Sequence, residues 1–279
     1  MVESRVFATS VTPISIPVLT PVEPVRPVAP WIGGKRNLAR RLCALIEATP
    51  HDAYAEPFVG MGGVFFRRRS RPRCEVINDY SGEVANLFRC MRAHAGALND
   101  LIALELASRA EFDRQGRVDP STLTDLQRAA RFVYLQKNAF GGKLEGRNFG
   151  MSKDRPSRFR ASDVGSDLIA AGRRLEAVTI EQLDWSEFIA RYDRAGTLFY
   201  LDPPYFGCEG DYGPDLFDVG QFEAMAEQLG RLKGRFILSL NDRPRVREIF
   251  AAFRIEEAAT HYGLAGKGNL PAGEVIIIG

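Results

Sequence analysis

Cysteine and histidine are scarce in this chain, which has four and three of them among 279 residues. The cysteines form no C-x-x-C pair, and this wide spacing is typical of reduced cytosolic thiols rather than of disulfides. The histidines are equally scattered and form no cluster with the spacing of metal ligands, so we predict no metal site. The four cysteines are Cys43, Cys74, Cys90 and Cys208.

Long apolar runs are missing as well. No run reaches the ~20 residues that a membrane-spanning helix needs. The amino terminus also lacks a basic segment followed by an apolar stretch and a cleavage site, which argues against secretion. A hydrophobic content of 45% is ordinary for a globular protein. We therefore expect a cytoplasmic protein without a membrane partner, and no oligomer is predicted.

The net charge is only +2, but it is unevenly distributed. Residues 128–160 contain nine basic and two acidic side chains, so this window carries +7 and the remainder −5. Such asymmetry indicates a local surface that binds a polyanion. Within the window, Lys137, Lys143 and Arg147 are our candidates for contacts with nucleic acid. A second basic run, residues 67–73, is typical either of further phosphate contacts or of a solvated helix end.

Six prolines in the first thirty residues prevent regular helices and ladders, so we predict a disordered or extended arm over residues 1–30. From Trp31 onward, apolar strands alternate with helical patterns, which predicts an α/β Rossmann-like sheet with helices on both faces. Polar helical patterns near 96–107, 124–139 and 162–176 predict an inserted, mainly helical domain over residues 96–177. The sheet domain then comprises residues 31–95 and 178–279.

The tetrapeptide Asp202-Pro203-Pro204-Tyr205 follows an apolar run, residues 197–201, that is typical of a buried strand. Two consecutive prolines impose a rigid turn there, at the strand end where ligands bind in open α/β sheets. The Asp202 carboxylate and a backbone carbonyl can accept two hydrogen bonds from an amine, while Tyr205 stacks on a planar ring. The turn therefore predicts a pocket for a flipped-out base with an amino group. A turn with a packed tyrosine is the alternative.

A second strand end carries Glu56 and then a glycine-rich turn with Gly60 and Gly62. The next strand ends in Asn78-Asp79, about twenty residues later, where an acidic side chain can accept both hydroxyl hydrogens of a ribose. The G-x-G-G pattern favours an adenosine ligand without a pyrophosphate. A purely structural glycine turn explains the glycines alone equally well.

Four motifs of the chain, in this order, resemble the Dam-like class of adenine-specific DNA methyltransferases. They are Trp31-x-Gly-Gly-Lys35, Glu56-Pro-Phe-x-Gly-x-Gly-x-Val64, Asn78-Asp79 and Asp202-Pro-Pro-Tyr205. The resemblance implies that the first three bind S-adenosylmethionine and that the insertion recognises DNA. The cofactor-binding residues it implies are Trp31, Gly33, Lys35, Glu56, Phe58, Gly60, Gly62, Asp79 and Asp202. Residues 133–142 are also similar to a family stretch, but Gly141 stands where asparagine is common.

The residues and the resemblance together predict methyl transfer to the 6-amino group of adenine in double-stranded DNA. The predicted catalytic residues are Asp202, Pro203 and Tyr205. The base flips out, the Asp202 carboxylate and the Pro203 carbonyl accept the two amine hydrogens, and Tyr205 stacks on the ring. Because the cofactor activates the methyl group, this chemistry requires no metal. The alternatives are the 4-amino group of cytosine, RNA, a protein glutamine amide, or a catalytically silent DNA-binding protein of the same fold.

Overall fold

The computed structural model describes residues 19–35, 37–144, 146–151, 154, 156–207, 217–264 and 267–279, with the backbone alone for 259–264 and 267–272. Seven of the described strands form one sheet in the order β5-β4-β2-β6-β7-β9-β8. The strands are β2 (Ala53–Glu56), β4 (Cys74–Asn78), β5 (Thr179–Glu181), β6 (Thr197–Leu201), β7 (Arg235–Asn241), β8 (Arg254–Leu264) and β9 (Lys267–Ile278).

The first five strands in this order are parallel, and β9 runs antiparallel to both of its neighbours. From β2 the chain adds β4 and β5 on one side and later β6 and β7 on the other. The strand order therefore reverses between β2 and β6, and in open α/β sheets the crevice at such a switch point is where ligands bind.

The strand β6 shows why both faces of the sheet are covered. All five of its residues are buried, as expected for a central parallel strand that packs against helices on each side. Leu198 and Tyr200 point into one apolar core, whereas Phe199 and Leu201 point into a second. The predicted Rossmann-like sheet with helices on both faces is confirmed.

The described residues form eight α-helices. They are α1 (Ala39–Ala48), α2 (Gly82–Ala103), α3 (Arg109–Arg117), α4 (Asp125–Asn138), α5 (Ala161–Arg174), α6 (Trp185–Tyr192), α7 (Val219–Leu229) and α8 (Pro244–Ile249). Helices α2, α4 and α5 contribute to the first core, and α6, α7 and α8 to the second. None of the helices in the described part of the chain has the length and apolarity that a membrane crossing requires.

The segment predicted as an insertion is helical, but its first predicted helix is the second half of α2. That helix continues through residue 95 and is interrupted by non-helical backbone at His94, with φ −140° and ψ 33°. Helix α4 begins where Thr124 and Gln127 form a reciprocal cap. The division of the chain into a sheet domain and an insertion at residues 95–96 therefore falls beside a kink within one helix, and it stays a prediction.

Of the two predicted forms of the arm, disordered or extended, residues 19–30 adopt the extended one and contact the sheet domain. Residues 1–18 of the arm lie outside the described part of the chain. In the part that follows, Thr20–Pro21 (β1) pairs with Ser70–Arg71 (β3). Val25 donates a backbone hydrogen bond to Phe66, and Val28 is buried in the first core. The prolines do keep this segment extended, and its apolar side chains attach it to the sheet domain because their burial is favourable.

Candidate active site

Three strand ends meet at one edge of the sheet because β2 lies between β4 and β6. Glu56 ends β2, Asp79 follows β4 and Asp202 follows β6. They border a cleft with a polar inner part and an aromatic outer part. Residues of the inner part include Lys35, Glu56 and Tyr200. Asp79, Tyr80, Leu144, Pro204 and Phe217 line the outer part, and both parts share Trp31, Phe58, Gly60 and Asp202.

The Asp202 carboxylate is held by two donors from other elements. The Lys35 ammonium lies 2.5 Å from its Oδ1, and the Ser239 hydroxyl donates to the same oxygen at 3.3 Å. Ser239 is itself in hydrogen-bond contact with the hydroxyl of Tyr200 at 3.0 Å. Burial raises the pKa of Asp202, and the ammonium and the hydroxyl oppose that shift. Both contacts fall on Oδ1, so Oδ2 is turned away from them.

Tyr205 is fixed at both its side chain and its following residue. Its hydroxyl accepts a hydrogen bond from Lys35 Nζ at 2.8 Å and donates one to Glu274 Oε1 at 2.7 Å. The Asn241 amide accepts from the Phe206 backbone N–H and donates to its carbonyl, both at 2.9 Å. The tetrapeptide turn is therefore anchored by β7 and β9, the strands beyond β6.

The glycine-rich turn after β2 allows an aromatic ring to lie on the backbone. Gly60 has φ +49°, and a Cβ atom there would stand 2.6 Å from Trp31 Nε1, so only glycine fits. The Gly60 N–H donates to Asp79 Oδ2, and the Ser81 N–H donates to Oδ1, each at 2.9 Å. Burial raises the pKa of Asp79 to about 6, although both amide hydrogen bonds favour the carboxylate. Asp79 is thus oriented toward the cleft by two backbone donors.

Gly62 and Gly33 also have positive φ, at +69° each. A Cβ atom on Gly62 would lie 2.5 Å from the Phe66 ring, so this glycine serves close packing rather than ligand approach. Gly33 forms the turn that returns Lys35 to the cleft, and its carbonyl accepts from Lys35 Nζ at 3.3 Å. The structure therefore brings Gly33 and Lys35 to the site, while Gly62 supports it from behind.

Glu56 lies at the inner end of the cleft and is buried. The Tyr54 hydroxyl donates to its Oε2 at 2.6 Å. Burial raises the pKa of Glu56 to about 8, so its protonated form predominates at neutral pH. Neighbouring Asn78 does not line the cleft. Its amide instead bonds the backbone of Pro57 and Leu183, so it ties together the loops that follow β2 and β5.

The three DNA-binding candidates differ in their surroundings. Lys137 is mostly buried and lies 3.9 Å from Asp167. Arg147 folds back, donating to the Lys143 carbonyl at 3.2 Å and to Gln136 Oε1 at 3.4 Å. Lys143 is exposed. Lys153 and Arg155 of the same basic window lie outside the described residues.

The loop that carries Lys143 reaches the cleft. Ala139 and Phe149 form a bridge at its base, and Leu144 lines the outer cleft. Gln136 Nε2 donates to the carbonyls of Pro30 and Gly142, at 3.2 and 2.6 Å, which holds the loop against the segment before Trp31. The basic window and the predicted catalytic turn therefore share one opening.

Sequence reasoning missed Ser239 and Glu274 as members of the site. Ser239 belongs to the run Ser239-Leu240-Asn241-Asp242 at the end of an apolar segment, and this change from apolar to polar residues is a signal of a strand end at the same edge of the sheet. Glu274 is a single acidic residue before the apolar run of residues 275–278, and only the pairing of β9 with β7 brings it to Tyr205. In the described part of the chain, no group of His, Cys, Asp and Glu side chains could hold a metal ion.

Comparisons with known proteins show the family of this chain. A family model described as D12 class N6 adenine-specific DNA methyltransferase matches residues 31–263. The type II methyltransferase M1.LlaDCHI of Lactococcus lactis subsp. cremoris is 26% identical, and the match covers 91% of this chain and 95% of that protein. The type II methyltransferase M.CviBI of Paramecium bursaria Chlorella virus NC1A is 21% identical, with coverage of 82% and 88%. The DNA N-6-adenine-methyltransferase of Escherichia phage P1 is 22% identical, with coverage of 88% and 34%.

Proposed function

The chain belongs to the D12 class of N6 adenine-specific DNA methyltransferases, and we propose that the cleft at the β2, β4 and β6 ends is its active site. We further propose that the target adenine is in double-stranded DNA and enters the cleft flipped out of the helix. The observation that carries this proposal is the Asp202 carboxylate, which borders the same cleft as Asp79 and Gly60.

The cleft suits the methyl donor S-adenosylmethionine, which supplies an electrophilic methyl group when bound. Asp79 offers a carboxylate for the ribose hydroxyls, next to the backbone of Gly60. Phe58 and Phe217, whose ring centroids lie 6.0 Å apart, offer apolar surface for a purine. The remaining cofactor contacts are assigned to Trp31, Gly33, Lys35, Glu56, Gly60 and Asp202, whereas Gly62 supports the turn from behind.

Asp202 and Pro203 would hold the target amine. Since Lys35 and Ser239 both occupy Oδ1 of Asp202, we assign Oδ2 to one amine hydrogen and the Pro203 carbonyl to the other. Two acceptors in the plane of the base direct the nitrogen lone pair toward the methyl donor for in-line attack. Tyr205 stacks on the ring. Orientation and electrostatics suffice for this transfer, so the proposal includes no metal.

The basic window would bind the DNA backbone around the flipped base. Lys143 is exposed on a loop that reaches the cleft through Leu144, so it is placed to contact a phosphate beside the target. Arg147 and Lys137 are assigned to the same surface, with Lys137 restrained by Asp167. Phosphate contacts of this kind position the duplex, and affinity should fall steeply with salt.

Transfer of a labelled methyl group tests the proposal. Purified protein is incubated with double-stranded DNA and S-adenosylmethionine labelled in its methyl group, and label in the DNA is counted. The native chain should label the DNA, and Asp202→Ala should lose about 10²–10³-fold of the rate, as when a transition-state hydrogen-bonding group is removed. The control is Asp52→Ala, an exposed carboxylate paired with Arg194 on a different part of the surface. Full activity of Asp202→Ala would contradict the assigned role.

A further inference from the structure

Glu274 is a buried carboxylate that the methyl transfer described above does not use. It lies on β9 with 1% of its surface exposed, and its register partner on β7 is Asn241. Its Oε1 accepts the hydrogen bond from the Tyr205 hydroxyl at 2.7 Å. Burying a carboxylate is costly unless it is paired or hydrogen-bonded, and Glu274 directly precedes the buried apolar residues Val275, Ile276 and Ile277, so its hydrogen bond to Tyr205 is its main compensation among the contacts described above.

Glu274 ends a row of polar contacts that begins at Asp202. The row runs from Asp202 Oδ1 to Lys35 Nζ at 2.5 Å, from Lys35 to the Tyr205 hydroxyl at 2.8 Å, and from that hydroxyl to Glu274. Lys35 Nζ also lies 4.3 Å from the centroid of the Tyr205 ring. One ammonium thus stands between two carboxylates, and Tyr205 joins them.

The Tyr205 ring needs such a restraint. Asn241 holds the backbone of the next residue, Phe206, so these two hydrogen bonds fix the main chain and not the plane of the tyrosine ring. The terminal torsion of an aromatic side chain is broad, so its plane is set by packing and by the hydroxyl. Stacking on a base uses the ring face, and the hydroxyl is therefore available to orient that face.

We propose that Glu274 is a positioning residue for methyl transfer, which accepts the Tyr205 hydroxyl and so fixes the ring against which the target base stacks. This inference rests on the proposed function, since it assumes that Tyr205 stacks on the base. Through Tyr205, Glu274 also keeps the Lys35 ammonium on Oδ1 of Asp202. The requirement is for a hydrogen-bond acceptor at Oε1, and a glutamine carbonyl can supply one.

Four variants test the proposal: Glu274→Ala, Glu274→Gln, Tyr205→Phe and the double variant Glu274→Ala/Tyr205→Phe. Because removing one partner leaves the other buried polar group without its hydrogen bond, we expect kcat to fall by about 10- to 100-fold in Glu274→Ala and in Tyr205→Phe. KM for S-adenosylmethionine should change less than about threefold. The double variant should lose no more than Tyr205→Phe, which already removes the hydroxyl that Glu274 accepts. Glu274→Gln should stay close to the native kcat.

A matched control exists elsewhere in the chain. The Tyr192 hydroxyl donates to Glu181 Oε1 at 2.5 Å, so Tyr192→Phe removes the same kind of bond outside the cleft and should leave kcat unchanged. A second readout uses DNA in which the methylated adenine is replaced by 2-aminopurine, whose fluorescence is quenched by stacking. Glu274→Ala should bind this DNA with brighter fluorescence than the native chain.

Two results would overturn the inference while the native chain still methylates DNA. One is native kcat and fluorescence in Tyr205→Phe or in a folded Glu274→Ala. The other is a loss in Glu274→Gln as large as in Glu274→Ala, which would indicate that the charge and not the acceptor matters. If Glu274→Ala fails to fold, Tyr205→Phe and Glu274→Gln decide the matter. Failure of the native chain to label any DNA would instead defeat the proposed function.

Discussion

Two clusters of buried charged and aromatic side chains lie in opposite halves of the same sheet. The arginine cluster consists of Tyr54, Arg68, Glu75 and Arg174 and lies near the amino ends of β2 and β4. The turn cluster consists of Lys35, Asp202, Tyr205 and Glu274 and lies beyond the carboxyl end of β6. Both combine a tyrosine, a carboxylate and a basic side chain, yet only the second contributes to the lining of the cleft, through Lys35 and Asp202.

The arginine cluster is closed. Arg174 at the end of α5 donates two hydrogen bonds to Glu75, at 2.7 and 2.8 Å, and Arg68 pairs with the same carboxylate. The Arg68 guanidinium also lies 3.7 Å from the centroid of the Tyr54 ring. The Glu75 side chain is 2% exposed, compared with 21% for Asp202. The arginine cluster thus joins α5 to the sheet. The turn cluster has the same types of side chain but remains accessible to a ligand.

Removing the carboxylate of the arginine cluster should lower the stability of the fold without changing the rate of methyl transfer. Glu75→Ala leaves two buried guanidinium groups without their partner, and the free energy of unfolding should fall by about 3–5 kcal/mol. The rate of methyl transfer per folded molecule should stay native. Urea denaturation measures the loss, with Glu227→Ala as the control, since Glu227 forms an exposed pair with Arg231 whose loss costs less than about 1 kcal/mol. Equal losses in both variants would remove the contrast between the clusters.

Acidic pH should weaken the binding of the methyl donor in the cleft. Because the folded-state pKa of Asp79 is raised to about 6, protonation below that pH removes the acceptor for ribose hydroxyls. Affinity for S-adenosylmethionine should then fall by up to about tenfold per pH unit, measured by calorimetry between pH 5 and 8.

The linked effect on stability has the opposite sign. A raised carboxyl pKa means that the folded chain binds the proton more tightly than the unfolded chain. The contribution of Asp79 to the free energy of unfolding therefore rises as the pH falls from about 6 toward 4. Asp79→Asn should flatten both profiles in this range. A pH-dependent affinity that persists in Asp79→Asn would assign the titration to another group.

The insertion offers a smaller contrast between a restrained and an exposed lysine. Lys143→Ala should lower the slope of log affinity for DNA against log salt by about 1, because an exposed ammonium releases a counterion on phosphate contact. Lys137→Ala should change the slope less, since Asp167 already faces that ammonium at 3.9 Å. Binding titrations at several salt concentrations measure both. A larger change for Lys137→Ala would reverse the assignment.

The smallest expected effect concerns Ala177, which precedes β5 by two residues and has φ +63°. Ala177→Gly should raise the free energy of unfolding by about 0.5–1 kcal/mol, because glycine adopts the left-handed region without penalty. Methyl transfer should not change. In contrast, Ala190→Gly on the exposed side of α6 should lower stability by about 1 kcal/mol. A destabilising Ala177→Gly would show that its methyl group packs favourably.

Local pattern predicts the central strands well. The apolar run predicted as a buried strand, residues 197–201, has the bounds of β6 (Thr197–Leu201), because continuous apolar runs are typical of parallel strands buried on both faces. The rigid turn at Asp202 and the glycine turn at Gly60 are local as well. Both could therefore be recognised before any contact was known.

Tertiary contacts account for what the pattern does not show. Val28 is buried by the neighbouring core, although the prolines around it indicate only an extended chain. Helix α1 begins only at Ala39, after the Gly33 turn that returns Lys35 to Asp202, and this long-range contact leaves no periodic signal. Glu274 reaches Tyr205 through the antiparallel pairing of β9, which no periodicity encodes. Long-range pairing therefore completes the site that the motifs begin.

The identity of the methylated nucleoside tests the central claim most directly. DNA labelled by the native chain from S-adenosylmethionine is digested to nucleosides, which are separated and counted. If Asp202 and its turn hold the 6-amino group of adenine, all label should elute as N6-methyldeoxyadenosine, and Asp202→Ala should give almost none. Label in N4-methyldeoxycytidine, or DNA without label, would contradict the account.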